Sequence, residues 1–197
     1  MAKPVTFALK PFERCANSSQ QHSVLASELT MDVTVFREGP MLSLFYRLTG
    51  NVSKVVVPPV VQKPSRRDHL WEQTCFEFFL SEQHVPTKKS PYWEFNLSPT
   101  RDWNAFCLQP YRHRLKQESA LTCLPIAVQI SSTTFRLATS VDLGHLIDSV
   151  KPLRLGSSAV IVLREEEALR ETFWAITHPT SQPDFHHPDS FAVELMP

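Results

Sequence analysis

Two short runs place carboxylates where aromatic and apolar residues otherwise dominate. Residues 70–80 read Leu70, Trp71, Glu72, Gln73, Thr74, Cys75, Phe76, Glu77, Phe78, Phe79 and Leu80, and residues 92–97 read Tyr92, Trp93, Glu94, Phe95, Asn96 and Leu97. A sheet core has no use for an acid unless something satisfies it, because a carboxylate moved out of water loses its hydration. Glu77 and Glu94 therefore need partners. One answer is a ligand that donates hydroxyls; the other is a structural network with Arg101, Arg112 or Arg114. Two carboxylates across one bond would also serve glycoside hydrolysis. Chain length and the lack of a long active-site loop favour a binding module over such a small hydrolase.

Strand periodicity sorts these residues by face. If 70–80 is extended throughout, Trp71, Gln73, Cys75, Glu77 and Phe79 share one side, while Thr74, Phe76, Phe78 and Leu80 share the core side. On the second run Trp93, Phe95 and Leu97 form the apolar face, with Tyr92, Glu94 and Asn96 opposite. Pairing the two strands over one core gathers Trp71, Glu77, Glu94 and Asn96 on the other surface. An aromatic platform beside carboxylate and amide acceptors suits a pyranose ring, which has an apolar face to stack and hydroxyls to donate.

A second cluster occupies 178–189, where His178, Asp184, His186, His187 and Asp189 fall among three prolines. The spacing matches no standard zinc motif and no EF-hand loop, so zinc and calcium are not expected; a rigid turn with Asp184 and His186 bonded to backbone groups is. Cys75 lies among phenylalanines, the setting of an inert core thiol rather than a nucleophile. No phosphate-binding loop, dinucleotide fingerprint or nucleophile elbow is present.

The elements that must carry these groups read as short strands. Residues 32–37 and 41–48 flank Glu38, Gly39 and Pro40 as a hairpin, and 126–131 and 135–141 form a second. Further strands are expected at 55–57, 105–111, 159–163, 172–177 and 191–195, with one short helix capped by Asp142 over 142–147. Turn-bounded strands spread over the whole length predict an all-β fold, a β-sandwich of two antiparallel sheets, as a single domain over 1–197.

Composition narrows the partners. Twenty basic and twenty acidic residues cancel, which argues against nucleic acid or an anionic membrane as a partner. The longest apolar run, 55–61, contains Pro58 and Pro59 and is far short of the ~20 residues a membrane helix needs. Residues 1–15 lack the apolar centre of a secretory signal, and the four cysteines Cys15, Cys75, Cys107 and Cys123 have no paired spacing, so a cytoplasmic location with reduced thiols is expected. No oligomeric state follows from the sequence.

The order Arg67 to Glu77, then Tyr92 to Pro99, Trp103, Tyr111, Arg112, and finally Phe173, Trp174, Ala175, Ile176, Thr177, His178 and Pro179 with Pro183, Asp184, Phe185 and His186, resembles the bacterial DOMON-like proteins, which are similar to carbohydrate-binding module family 9. The resemblance runs from about Phe7 to Leu195. It implies a non-catalytic β-sandwich whose relatives bind sugars between two tryptophans, matched in position by Trp71 and Trp174, with Glu77 as the strand carboxylate. Where those modules carry an arginine in the second run, this chain has Glu94. Other DOMON branches bind haem through Met and His, for which Met41 and His178 are the residues present, or serve protein interaction. The expected ligand is a small polar molecule, a saccharide first, in a pocket of Trp71, Glu77, Glu94, Asn96 and Trp174 supported by Arg112, His178, Asp184 and His186.

Overall fold

The computed structural model describes residues 3–13, 24–109, 111–113 and 115–197; Cys15 and Arg114 lie outside them. Among the described residues twelve strands carry the architecture: β1 (Val5–Pro11), β2 (Leu29–Glu38), β3 (Met41–Gly50), β4 (Cys75–Ser81), β5 (Tyr92–Leu97), β6 (Trp103–Leu108), β7 (Lys116–Gln117), β8 (Ile126–Ile130), β9 (Thr134–Asp142), β10 (Leu153–Glu165), β11 (Ala168–Ala175) and β12 (Val193–Leu195). All ladders between them are antiparallel. Among the described residues the only α-helix, α1 (Val24–Ser27), is a single turn.

Period-two burial makes these strands. In β2, Leu29, Met31, Val33 and Val35 are buried while Thr30, Asp32, Thr34 and Phe36 are not, and β3 buries Leu42, Leu44, Tyr46 and Leu48 in the same rhythm. β4 differs, being buried on both faces along its full length. Its neighbours are β5 and β10.

The all-β antiparallel fold expected from the sequence is present, and its strands join in one hydrogen-bonded path, ordered β7-β6-β5-β4-β10-β11-β1-β2-β3-β9-β8, with β12 joined to β10, so the two halves are linked rather than separate. The cause lies in β1. Val5 to Leu9 pair with β2, whereas Lys10 and Pro11 pair with β11, so a single strand passes from one half to the other and the sheet curls over a shared core. The halves meet through aromatic contacts: the Phe76 ring stacks on Phe135 at 5.2 Å and lies 5.1 Å from that of Tyr46, whose hydroxyl donates to the Glu77 carbonyl at 2.8 Å.

Three local expectations are corrected. Residues 55–57 give only a bridge from Val55 to Leu163, because Pro58 and Pro59 end the run before a ladder can form. Residues 142–147 form a turn, not a helix: Asp142 Oδ1 does accept from the Gly144 N–H at 2.9 Å, but the chain leaves after one α-type bond, from the Ile147 N–H to the Leu143 carbonyl. The run 70–80 is not one strand. Leu70–Glu72 is a 3-10 turn, entered through His69 at φ 60°, and pairing starts at Cys75.

Gly50 ends β3 at φ 119°, and a Cβ there would meet the Glu28 carbonyl oxygen at 2.0 Å. Gly50→Ala is therefore expected to destabilise the protein by about 3 kcal/mol through strain and a backbone clash together, measured by urea unfolding. An unchanged midpoint would show that the Glu28 loop yields freely.

Candidate functional site

The outward face of β4, β5, β6, β10 and β11 is the setting of the site. Register places Glu77 opposite Asn96 on one side and Ser158 on the other, and Phe79 opposite Glu94, so Glu77 and Glu94 are diagonal neighbours on one surface. Glu94 in turn faces Phe106, and Val160 faces Phe173. The face assignment of Glu77, Glu94 and Asn96 from alternation agrees with this register.

A second apolar cluster, separate from the main core, covers this surface: Phe79, Tyr92, Phe106, Leu108 and Phe191, with Trp71 and Phe185 packed against it. It strips water from the acids. Glu77 is 4% exposed and Glu94 5%. Burial first, and the Glu94 charge second, raise the Glu77 carboxyl to about 8; burial raises Glu94 to about 7, opposed by the Asn96 hydrogen bond and the Arg112 charge. The two titrate as a linked pair that keeps at least one proton at neutral pH.

Their partners are few. The Ser158 hydroxyl donates to Glu77 Oε2 at 3.2 Å, and Asn96 Nδ2 donates to Glu94 Oε1 at 2.9 Å. Among the described residues neither Glu77 Oε1 nor Glu94 Oε2 has a hydrogen-bond partner; His186 Nε2 stands 4.0 Å from Glu94 Oε2. No arginine among the described residues forms an ion pair with either acid. Arg101 donates to the Val61 carbonyl, Arg112 pairs with Asp184 at 3.1 Å, and Arg114 is outside the described residues.

The 178–191 loop walls the site. The Arg112 backbone N–H donates to the Tyr92 hydroxyl at 3.2 Å, and that hydroxyl is hydrogen-bonded to His186 Nδ1 at 2.9 Å. Burial and the Arg112 charge hold the imidazole neutral, down to about 4, with Nε2 4.0 Å from Glu94 Oε2. Asp184 accepts from both the Tyr111 hydroxyl and Arg112. Arg112, at φ 52°, and His69 are two of the four non-glycine residues at positive φ among those described, and both flank the site.

These groups surround an open cavity of about 490 Å³ lined by Trp71, Glu77, Glu94, Arg112, Phe173, Phe185 and His186, with Glu72, Leu108, Leu115, Val160, Glu171 and Pro183 completing the wall. Trp71 reaches it from the 3-10 turn rather than from strand parity, packing edge-on to Phe106 at 6.3 Å. Asn96 sits behind Glu94, fully buried, and steadies the carboxylate instead of lining the space.

Trp174 is a correction. It is 1% exposed, belongs to the main core, and donates through Nε1 to Thr172 Oγ1 at 2.9 Å. The adjacent residue on the opposite face, Phe173, lines the cavity. Phe173 and Phe185 are cavity residues that sequence reasoning misses; for Phe173 the available signal is its place beside Trp174 on one strand, since alternation must send one of the two outward.

His178 is also elsewhere, its Nε2 2.8 Å from the Lys10 carbonyl oxygen. Met41 starts β3, whereas Lys10 follows Leu9, which is aligned through Met31 with Leu48 toward the other end of β3, ~20 Å of strand away. Met41 and His178 therefore do not form one haem-ligand pair. Among the described residues no three His, Cys, Asp or Glu side chains converge as a metal set, and no helix is long and apolar enough to cross a membrane.

A larger concavity, about 580 Å³, lies on the outward face of the other half of the sheet. Its polar groups satisfy one another: Arg47 with Asp32 at 3.0 Å, Thr6 with Thr34 at 2.9 Å, Arg136 with Gln129 at 3.1 Å. The acidic cavity, onto which two carboxylate oxygens open without a protein hydrogen bond among the described residues, is the better candidate.

Comparison with solved structures places the fold. The chain superposes on a candidate carbohydrate-binding protein from Bacteroides uniformis with a TM-score of 0.62 at 13% identity, covering 94% of this chain and 83% of that one. A carbohydrate-binding module of family 9 from Caldicellulosiruptor kristjanssonii, in complex with glucose, matches with a TM-score of 0.51 at 9% identity, covering 90% and 78%. At these identities the likeness is one of fold. No family model and no curated protein matches the sequence.

Proposed function

We propose that this chain is a non-catalytic DOMON-like module that binds a saccharide in the cavity between Trp71, Phe173, Phe185 and the Glu77–Glu94 pair. The observation that carries the reading is the pair of carboxylate oxygens, Glu77 Oε1 and Glu94 Oε2, without hydrogen-bond donors at the floor of an aromatic-walled space. Both side chains are largely buried, yet these two oxygens are left to the cavity, so donors from a bound molecule complete the site. The aromatic side chains give the apolar face of a sugar ring something to cover. The fold shared with carbohydrate-binding modules supports the same conclusion.

Titration of mono- and oligosaccharides, followed by tryptophan fluorescence and calorimetry, tests it. Trp71→Ala is expected to weaken binding by about 2 kcal/mol or more, as loss of a central aromatic anchor does. Its stability should fall only modestly, because Trp71 is partly exposed and stands on the outer cluster. Failure of every saccharide class to bind would remove the proposal.

A further inference from the structure

The geometry points to a saccharide bearing a free amine, an amino sugar, as the ligand class, with its ammonium seated between Glu77 and Glu94 and its ring against Trp71. This rests on the reading of the cavity as a saccharide site. The lining carries four acids, Glu72, Glu77, Glu94 and Glu171, against one cation, Arg112. That arginine is already matched by Asp184 and Tyr111, and His186 is neutral, so neither neutralises the floor.

A neutral sugar leaves this imbalance in place. A hydroxyl satisfies one oxygen but brings no counter-charge to an acid pair held in an apolar surrounding. An ammonium has three donors and one positive charge, which suits bonding to both acids and lets the pair give up its proton. The walls act in the same direction, since the faces of Trp71, Phe173 and Phe185 attract a cation.

Proton linkage gives the inference a signature that a neutral ligand lacks. The groups facing the pair are Arg112, Asp184, His186, Tyr92, Tyr111, Cys75, Glu72 and Glu171. Tyr92 and Cys75 are pushed upward by burial and stay protonated, Asp184 is held low by its hydrogen bonds, and His186 stays neutral. The acid pair is thus the group poised to lose a proton when an ammonium enters.

Calorimetry on the full chain with oligomers of 2-amino-2-deoxyglucose, their N-acetylated forms and neutral glucose oligomers decides the matter. The amine-bearing oligomer is expected to bind about 10- to 100-fold more tightly than either neutral series. Buffers of different ionisation enthalpy should reveal release of up to about one proton per sugar bound. Affinity for the amine should rise from pH 5.5 toward about 6.5 and level off as the sugar amine itself begins to lose its proton, while that for glucose oligomers stays flat. Glu77→Gln should abolish the preference, with Glu94→Gln as the second variant should the first fold poorly. Equal binding of amine and neutral sugars overturns this inference and leaves the saccharide site standing. Binding of spermidine with no sugar of any kind overturns both.

Discussion

Replacing Glu77 by glutamine is expected to make the protein more stable in alkali, by on the order of a few kcal/mol at pH 8.5, while changing it little at pH 5. The folded Glu77 carboxyl titrates near 8 rather than at its ordinary 4.5, and Glu94 near 7, burial being the main cause for both. A carboxyl raised on folding gives stability that is complete below the unfolded value and is lost as pH climbs through the folded one. The wild type should therefore weaken between about pH 4.5 and 8, every tenfold difference in proton affinity between the folded and unfolded chain being worth about 1.36 kcal/mol. Glutamine keeps the shape and cannot ionise. His186 works in the other sense: lowered to about 4, it costs stability only as pH falls below its unfolded 6.5. Urea titrations of both proteins at pH 5, 7 and 8.5 read the effect. A wild-type stability that is level from pH 6 to 8.5, or a variant that gains nothing, would mean that water reaches the pair and the acids are not desolvated.

Trp174→Ala should cost about 3–5 kcal/mol of stability, the usual consequence of deleting a large buried aromatic. The ring is enclosed, and its indole N–H is the donor to a Thr172 hydroxyl that itself donates to the Ile161 carbonyl at 2.9 Å, so the change opens a cavity and disturbs a buried chain of bonds. Sugar binding by whatever fraction stays folded should be near normal. Paired with Trp71→Ala, which should show the reverse pattern, the experiment separates core from platform. A Trp174→Ala protein that melts normally but loses its ligand would return Trp174 to the site.

Much of this is legible where alternation is strict. The inward faces of β4 and β5, with Phe76, Phe78, Leu80, Phe95 and Leu97 in the core, follow from period two, and so does the shared outer face of Glu77, Glu94 and Asn96. What fails is anything that depends on where a strand starts or which partner it takes. Parity assigns Trp71 along a strand that begins four residues later, and the ring still reaches the cavity because the 3-10 turn folds back over Phe106. Resemblance assigns Trp174, and its immediate neighbour faces the other way. The curl of the sheet is not legible, because the handover within β1 from β2 to β11 is a long-range pairing with no local sequence mark. Asp184 and Arg112, 72 positions apart, meet only through loop closure.

The position of β4 has a consequence for biosynthesis. Its two neighbours are β5, which follows at once, and β10, which is made some 70 residues later. Until β10 leaves the ribosome, a strand carrying Phe76, Phe78, Phe79 and Leu80 holds one open hydrogen-bonding edge, in a segment of high β-propensity with no proline to protect it. The nascent chain thus spends several seconds, at ordinary elongation rates of ~5–20 residues per second, as a template for self-association. The strand that carries Glu77 is then one that a chaperone would have reason to hold, for the most aromatic open edge of the growing chain is its own.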